Sequence, residues 1–469
     1  MRLLRFASIP ALSLLLAGAT CESAPDEGDT GVASPMDTAP TPETGPDTTA
    51  ADTEEAATDA DAGAEADVGS VQAQLLHQFE PFQLEPGEET TTCVQWTPGN
   101  TKPLYVNKVT MANGGGFHHS NWYIVPDSYV PGEDGYFNCG DRNYQGFTAA
   151  IQGSVLFAQS TQAQSEVQSF PKGVVTKIPA DHKIVADLHF LNIKPQASET
   201  SARLTLGLTH PRNVETVAAP FVLTYDALNI PPKSEARFTS ECNFKKTYES
   251  TTGDDYDDLK LYYVLPHYHG LGNWFGLELF GGERDGETVF ELEGFNAEAN
   301  GQEFDPPFEL SNSKGFRFGC GYDNPRDEWV DWGIGGDEMC MMLGYTNGEA
   351  LFAGRIESGE KVGTDEGIVR NEGPCDSIAI PPSKKQSMPT EAEKTGEMHV
   401  PDSDTKEEID PIPECEDRPG TAEPLRDPTL TNLETDLFSV GCGFTSCHDT
   451  ESPAANLNLT ADDLHAELT

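Results

Sequence analysis

His267 and His269 stand one residue apart in the stretch Leu265-Pro266-His267-Tyr268-His269-Gly270. On a β-strand alternate side chains leave the same face, so both imidazoles project together and one metal ion can bridge them. The surroundings support a strand. Asp258 and Lys260 precede an apolar run from Leu261 to Leu265, and Gly270 and Gly272 follow it. The bland reading of such a pair is two strand histidines satisfied by carbonyls or water. Its company argues otherwise, because the chain also carries Phe117-His118-His119, Asp187-Leu188-His189 and Asp337-Glu338-Met339-Cys340.

A His-His pair, a single strand His, an HxH pair and a Met inside a D-E-M-C tetrapeptide occur here in that order. The arrangement resembles the copper type II, ascorbate-dependent monooxygenases, the family of peptidylglycine and dopamine hydroxylases, across residues 75 to 375. The resemblance implies two coppers per chain. The first would be held by His118, His119 and His189 and would act as an electron reservoir across a gap between two domains. The second would be held by His267, His269 and Met339. There O2 would be activated and a C–H bond of a small-molecule substrate hydroxylated, with ascorbate or another electron donor reloading both ions. A copper-binding or electron-transfer protein that kept the ligands without hydroxylase activity is the alternative, and a non-catalytic surface-tethered β-sandwich module is a third reading. Met341 and Met342 read as packing residues, and His182 and His210 as surface or otherwise satisfied histidines.

Adjacent histidines on a regular strand point to opposite faces. His118 and His119 can therefore share an ion only where the backbone twists or bulges, and Gly114-Gly115-Gly116 just before them supplies that freedom. Two positions depart from the peptide-processing branch of the family, which places an Arg two residues before HxH and a Tyr four residues after the D-E-M-C methionine. Both residues there help to grip a substrate carboxylate. Leu265 and Leu343 occupy these positions here. A glycine carboxylate would lack its charge-assisted clamp, which speaks against peptide amidation and for a smaller or more apolar substrate.

The elements that must position these residues are read from texture. From 75 to 212 short runs rich in Val, Ile, Tyr, Phe and Thr alternate with Gly, Pro, Asn and Asp. Examples are Leu104 to Val109, Trp122 to Val125, Ile184 to Leu191 and Ala202 to Leu208. A block of the same texture runs from 213 to 375, with strands expected at Phe221 to Tyr225, Leu259 to Leu265, Phe275 to Phe280, Thr288 to Leu292 and Glu338 to Tyr345. Many short strands with regular turn signals predict an all-β chain of two tandem, jelly-roll-like β-sandwich domains, which is also the architecture that the resemblance implies.

The 469 residues carry a formal charge of −49, which excludes nucleic acid as a partner, since a polyanion would be repelled. Residues 1 to 20 read as a signal peptide, with Arg2 and Arg5 ahead of an apolar core from Ala11 to Ala17. Cys21 follows directly and reads as the acylated cysteine of a bacterial lipoprotein, a lipid anchor, although Ala17-Gly18-Ala19 would serve ordinary signal peptidase equally well. Residues 21 to 74 form an acidic tether poor in aromatics. They cannot bury enough apolar surface to offset their ordering entropy and are expected to be disordered.

Ten cysteines in an exported chain lean toward disulfides. The family resemblance implies Cys93–Cys139 and Cys320–Cys340, and Cys242–Cys375 is expected as the third. Cys415 is left over in a linker expected from 376 to 430. The segment 431 to 469 contains Cys442-Gly-Phe-Thr-Ser-Cys447-His448, which resembles a c-type haem attachment site with four intervening residues in place of the usual two. A small disulfide loop beside an exposed His is the competing reading.

Overall fold

The structure, a computed structural model, describes residues 71–403 apart from 161–162, 193–195, 294–299, 334–335 and 381–386. The signal peptide, Cys21, the acidic tether, Cys415 and the Cys442/Cys447/His448 motif lie outside the described residues.

The described chain is all-β and is built from two pairs of antiparallel-rich sheets. In the first pair, one sheet runs in the order Ala73–Gln78, Ala202–Leu208, Leu104–Asn113, Val174–Ile178 and Thr216–Val217, with Ser165–Ser169 also paired to the third of these. Its partner sheet runs Gly135–Phe137, Glu89–Trp96, His182–Leu191, Phe117–Pro126 and Ser154–Gln159. Alternation decides what lies between them. Ile184, Ala186, Leu188 and Phe190 join the core with Val106, Met111 and Leu204, so Val185, Asp187 and His189 face outward from the partner sheet.

The second pair repeats the plan. One sheet is ordered Gln302–Glu309, Lys260–His267, Met341–Thr346, Ala219–Tyr225, Leu351–Ile356 and Asp376–Ile380. The other is ordered Thr288–Glu293, Gly272–Phe280, Gly315–Asn324, Ser234–Asn243, Ile368–Glu372 and Glu360–Asp365. Val264 and Met342 point into the core between these sheets. Tyr263, Leu265, Leu343 and Tyr345 take the opposite face and pack on Val155 and Phe170 of the first pair. This buried apolar face joins the two sandwiches.

Several boundaries differ from the sequence expectation. Thr216–Val217 still pairs with Val174–Val175 in the first sandwich, so the chain crosses at Ala218, beyond the expected break at 212/213. Asp376–Ile380 pairs with Leu351–Arg355, which carries the second sandwich past 375. The described stretch of the expected linker from Ser387 to Ser403 packs on the first sandwich as well. Glu391–Thr395 is a helix with a Thr390/Glu393 capping box, and Met398 and Val400 pack on the first core. The Lys177 ammonium donates to the Ser387 carbonyl at 2.9 Å, so the segment straps back over the first sandwich. Finally, Glu338–Cys340 precedes its strand, which begins at Met341.

All three expected disulfides are present: Cys93–Cys139, Cys242–Cys375 and Cys320–Cys340. They mark an oxidising compartment. Among the described residues no helix is long and apolar enough to cross a membrane.

Candidate metal centre

The expected distortion lies at His118. Phe117 pairs with Phe190 and His119 pairs with His189, which leaves His118 as the extra residue of a β-bulge. Face parity agrees. Phe117 and Trp122 both enter the core although an odd number of positions separates them. The bulge turns His118 and His119 together to the outer face, beside His189. Gly115 and Gly116 enter it with φ of 91° and 73°, values that a side chain would resist.

His267 ends its strand on the same face as Leu265, and His269 lies on the turn that follows. The outer face of one sandwich thus brings His118, His119 and His189 against His267 and His269 of the other. Donor atoms of His118, His119 and His189 lie within 4.8 Å of one another, and so do those of His119, His267 and His269. Imidazole–metal bonds of about 2.0–2.1 Å set donors at most about 4 Å apart, so either group closes on an ion with side-chain shifts of under ~1 Å.

The two groups are not separate cages across a gap, as the resemblance implied. They share His119. Ring centroids lie 4.7 Å apart for His119–His189, 5.3 Å for His119–His267 and 5.7 Å for His118–His269. The physical reason is the apolar face formed by Leu265, Leu343 and Tyr345, which packs the sandwiches into direct contact.

Three of the five rings are oriented by an acceptor on one nitrogen. His189 Nε2 lies 2.9 Å from Glu89 Oε1, while its Nδ1 is 3.0 Å from His119 Nε2. His269 Nδ1 lies 2.8 Å from the Asp337 carbonyl, an acceptor only, so this nitrogen carries the proton. His269 Nε2 is then a buried lone pair without a hydrogen-bond partner. Ser160 Oγ donates to the Pro266 carbonyl at 2.9 Å and stands 3.1 Å from His267 Nδ1. Its proton is committed to Pro266, so the hydroxyl accepts from Nδ1–H and leaves Nε2 of His267 as the ligand atom. Fixing one ring nitrogen with an acceptor and freeing the other is how metal-binding histidines are prepared.

Burial favours the neutral form of His118, His119, His267 and His269, the form that binds metal. It pushes His118 down to about 4, helped by repulsion from the other rings. His119 and His267 are lowered well below the ordinary imidazole value by the same causes, and His269 is lowered mainly by burial. The hydrogen bond from His189 holds the Glu89 carboxyl below its usual range against partial burial.

Met339 is half-buried on the loop that touches His269. Glu338 anchors this loop, its two carboxylate oxygens accepting the amides of His269 at 2.8 Å and Leu271 at 2.7 Å. Burial raises Glu338 to about 8, opposed by those backbone donors. The Tyr322 hydroxyl donates to the Met339 carbonyl at 2.6 Å, and Cys340 is bridged to Cys320. The loop is therefore tied on both sides of Met339.

Leu265 and Leu343 are directly paired across neighbouring strands and are almost fully buried. They form the join between the sandwiches. Met341 is half-buried and Met342 is core. His182 and His210 are both buried, so of the two alternatives the satisfied one holds. His182 Nδ1 lies 3.1 Å from Asp181 Oδ1, and His210 accepts the Arg212 amide, so both are satisfied within the fold. Glu89 and Ser160 stand outside every motif. Their one sequence signal is a polar residue at a strand end, which many residues share.

No family model matches the chain, and no curated protein matches it. Among solved structures the chain is similar to the major capsid protein P2 of bacteriophage PM2, at 7% identity and a TM-score of 0.25, over 59% of this chain and 98% of that one. It is also similar to the PBSX exported protein XepA, at 9% identity and a TM-score of 0.17, over 58% and 86%. VP2 of infectious bursal disease virus follows at 10% identity and a TM-score of 0.15, over 59% and 72%. Likeness at these scores carries no functional meaning.

Proposed function

We propose that the five imidazoles bind copper and that the protein is an exported copper-dependent monooxygenase acting on a small substrate. The supporting observation is convergence. Histidines from three separate strands and a turn, contributed by both sandwiches, meet in two overlapping groups that could each hold an ion, and the rings that carry an orienting acceptor point their free nitrogens inward. The order of the motifs, including Met339 in D-E-M-C, supports copper over other ions that accept imidazole.

Copper supplies one-electron redox chemistry and dioxygen binding when it is present. In the overall reaction one oxygen atom enters a C–H bond and the other leaves as water. Two electrons and two protons come from ascorbate or another donor. The chain's own contribution is placement and exclusion of water. Glu89, Asp337 and Ser160 set ring orientation, the Glu338 anchor holds the Met339 loop at His269, and the Leu265–Leu343 face seals the join. Export through residues 1–20, a lipid anchor at Cys21, and a haem c on Cys442, Cys447 and His448 that feeds electrons in place of ascorbate belong to the same proposal.

Electron transfer without hydroxylation is the second reading. It is favoured by the apolar packing of Leu265 and Leu343, which occupies the positions where the peptide branch of the resembled family grips its substrate. Reductant-dependent oxygen uptake that rises with an added substrate supports the first reading, and copper binding without such uptake supports the second. A chain that takes up no copper refutes both. A haem absorbance band after co-expression with haem-attachment machinery tests the tail.

A further inference from the structure

Glu89 opens the strand Glu89–Trp96, which pairs directly with the strand carrying His189. Its carboxylate is 38% exposed, whereas the His189 side chain is 3% exposed. A single acidic side chain thus reaches from the solvent edge to a buried ring of the metal centre. Oε1 lies 2.9 Å from Nε2, within ordinary hydrogen-bond range. The other ring nitrogen, Nδ1, faces His119 Nε2 at 3.0 Å, inside the cluster. A neutral imidazole carries one proton. An ionised carboxylate only accepts, so the proton belongs on Nε2 and the Nδ1 lone pair is directed at the ion. Most ion pairs near a surface have little effect. This one differs because its partner is buried and uses its remaining nitrogen in the centre.

We propose that Glu89 is a positioning residue of this centre: it holds His189 in the Nε2–H tautomer, aims Nδ1 at the ion shared with His118 and His119, and sets one negative charge beside that ion. The inference rests on the copper reading for the identity of the ion. It goes beyond that reading, because neither the motifs nor their spacing involve position 89. The charge favours the more oxidised ion, so Glu89 lowers the reduction potential of the His118/His119/His189 site relative to the His267/His269 site. Electrons then flow from the first site to the second.

The test uses the full-length chain with Glu89→Gln and Glu89→Ala. Nitrogen NMR of labelled histidines in the metal-free protein reads the tautomer directly. Wild type and Glu89→Gln are expected to show His189 protonated at Nε2, because the Gln carbonyl still accepts, and Glu89→Ala is expected to show a mixture. Titration with Cu(I) is expected to find the His118/His119/His189 site weakened about 10–100-fold by Glu89→Ala and nearly unchanged by Glu89→Gln. The reduction potential of that site is expected to move positive in both variants, a shift that a merely structural hydrogen bond would not give in Glu89→Gln. An unchanged tautomer and affinity in Glu89→Ala, or an unmoved potential in Glu89→Gln, overturns the role of Glu89. If wild type takes up no copper, the copper reading falls, while the NMR arm still decides whether Glu89 fixes His189.

Discussion

Replacement of His119 by Ala separates one shared centre from two independent ones. His119 belongs to both groups of donors, whereas His189 belongs to the first and His267 to the second. At saturating copper, His189→Ala and His267→Ala should each weaken one site and leave the other near wild type. A neutral imidazole has one lone pair and serves one ion at a time, so His119→Ala should weaken binding of the first ion whichever group holds it. Loss of an outer hydrogen-bond partner of a ligand alone costs about 10–100-fold in metal affinity. Loss of the ligand itself should therefore cost at least about 100-fold for the first ion bound, which is about 2.7 kcal/mol at 1.36 kcal/mol per decade. The fold should survive, because His119 is half-buried at the edge of a bulge and contributes no core packing. The assay is competition with a Cu(I) chelator of known affinity, alongside total metal content and a thermal melt of the metal-free chain. A His119→Ala protein that melts like wild type and still holds one ion at wild-type affinity would refute the shared centre.

Acid should destabilise the metal-free protein through the same rings. A histidine whose folded pKa is depressed adds stability that is fully present above the ordinary value of 6.5 and is lost as pH falls toward the folded value, about 4 for His118. That interval corresponds to at most about 3 kcal/mol, so urea midpoints should fall between pH 6.5 and 4, and His118→Asn should flatten the fall. Glu338→Ala removes the acceptor of two buried amides and should cost roughly 1–3 kcal/mol for each amide left unpaired; the midpoint of chemical unfolding measures it, and Glu338→Gln should recover part. Leu265→Arg, which restores the residue type of the peptide-processing branch, places an unpaired charge in the join between the sandwiches and should destabilise the chain by several kcal/mol; a stable variant that gained affinity for a carboxylate would contradict the packing role of Leu265.

Much of the centre was legible residue by residue. The three glycines before His118 announced a bulge, and the bulge is there, because a left-handed backbone is a local property that glycine alone adopts freely. Strand textures placed most elements, since alternation is set by each segment itself. Boundaries were less legible. Thr216–Val217 and Asp376–Ile380 are short, and their pairing partners, not their own composition, make them strands. The strap at 387–403 reads as a polar linker because few of its residues, such as Met398 and Val400, are apolar side chains packed on the core. His182 and His210 are satisfied, one of the two alternatives the sequence left open, and only the fold shows that they are also buried.

Apart from the cysteine pairing, which was expected from the family resemblance, sequence by itself determined which side chains could bind an ion and which face of its strand each would take. Those properties follow from backbone periodicity and from ligand chemistry, both readable within a few residues. Tertiary structure alone decided that the two ligand sets share His119, that Glu89 and Ser160 orient their rings, and that Leu265 and Leu343 close the join. The shared His119, the Ser160 contact and the join depend on two sheet faces meeting, and the Glu89 contact on the pairing of two strands within one sheet, in each case between residues far apart along the chain. How two sandwiches pack is set by the sum of many apolar contacts across their faces, and no local pattern in the chain records that sum.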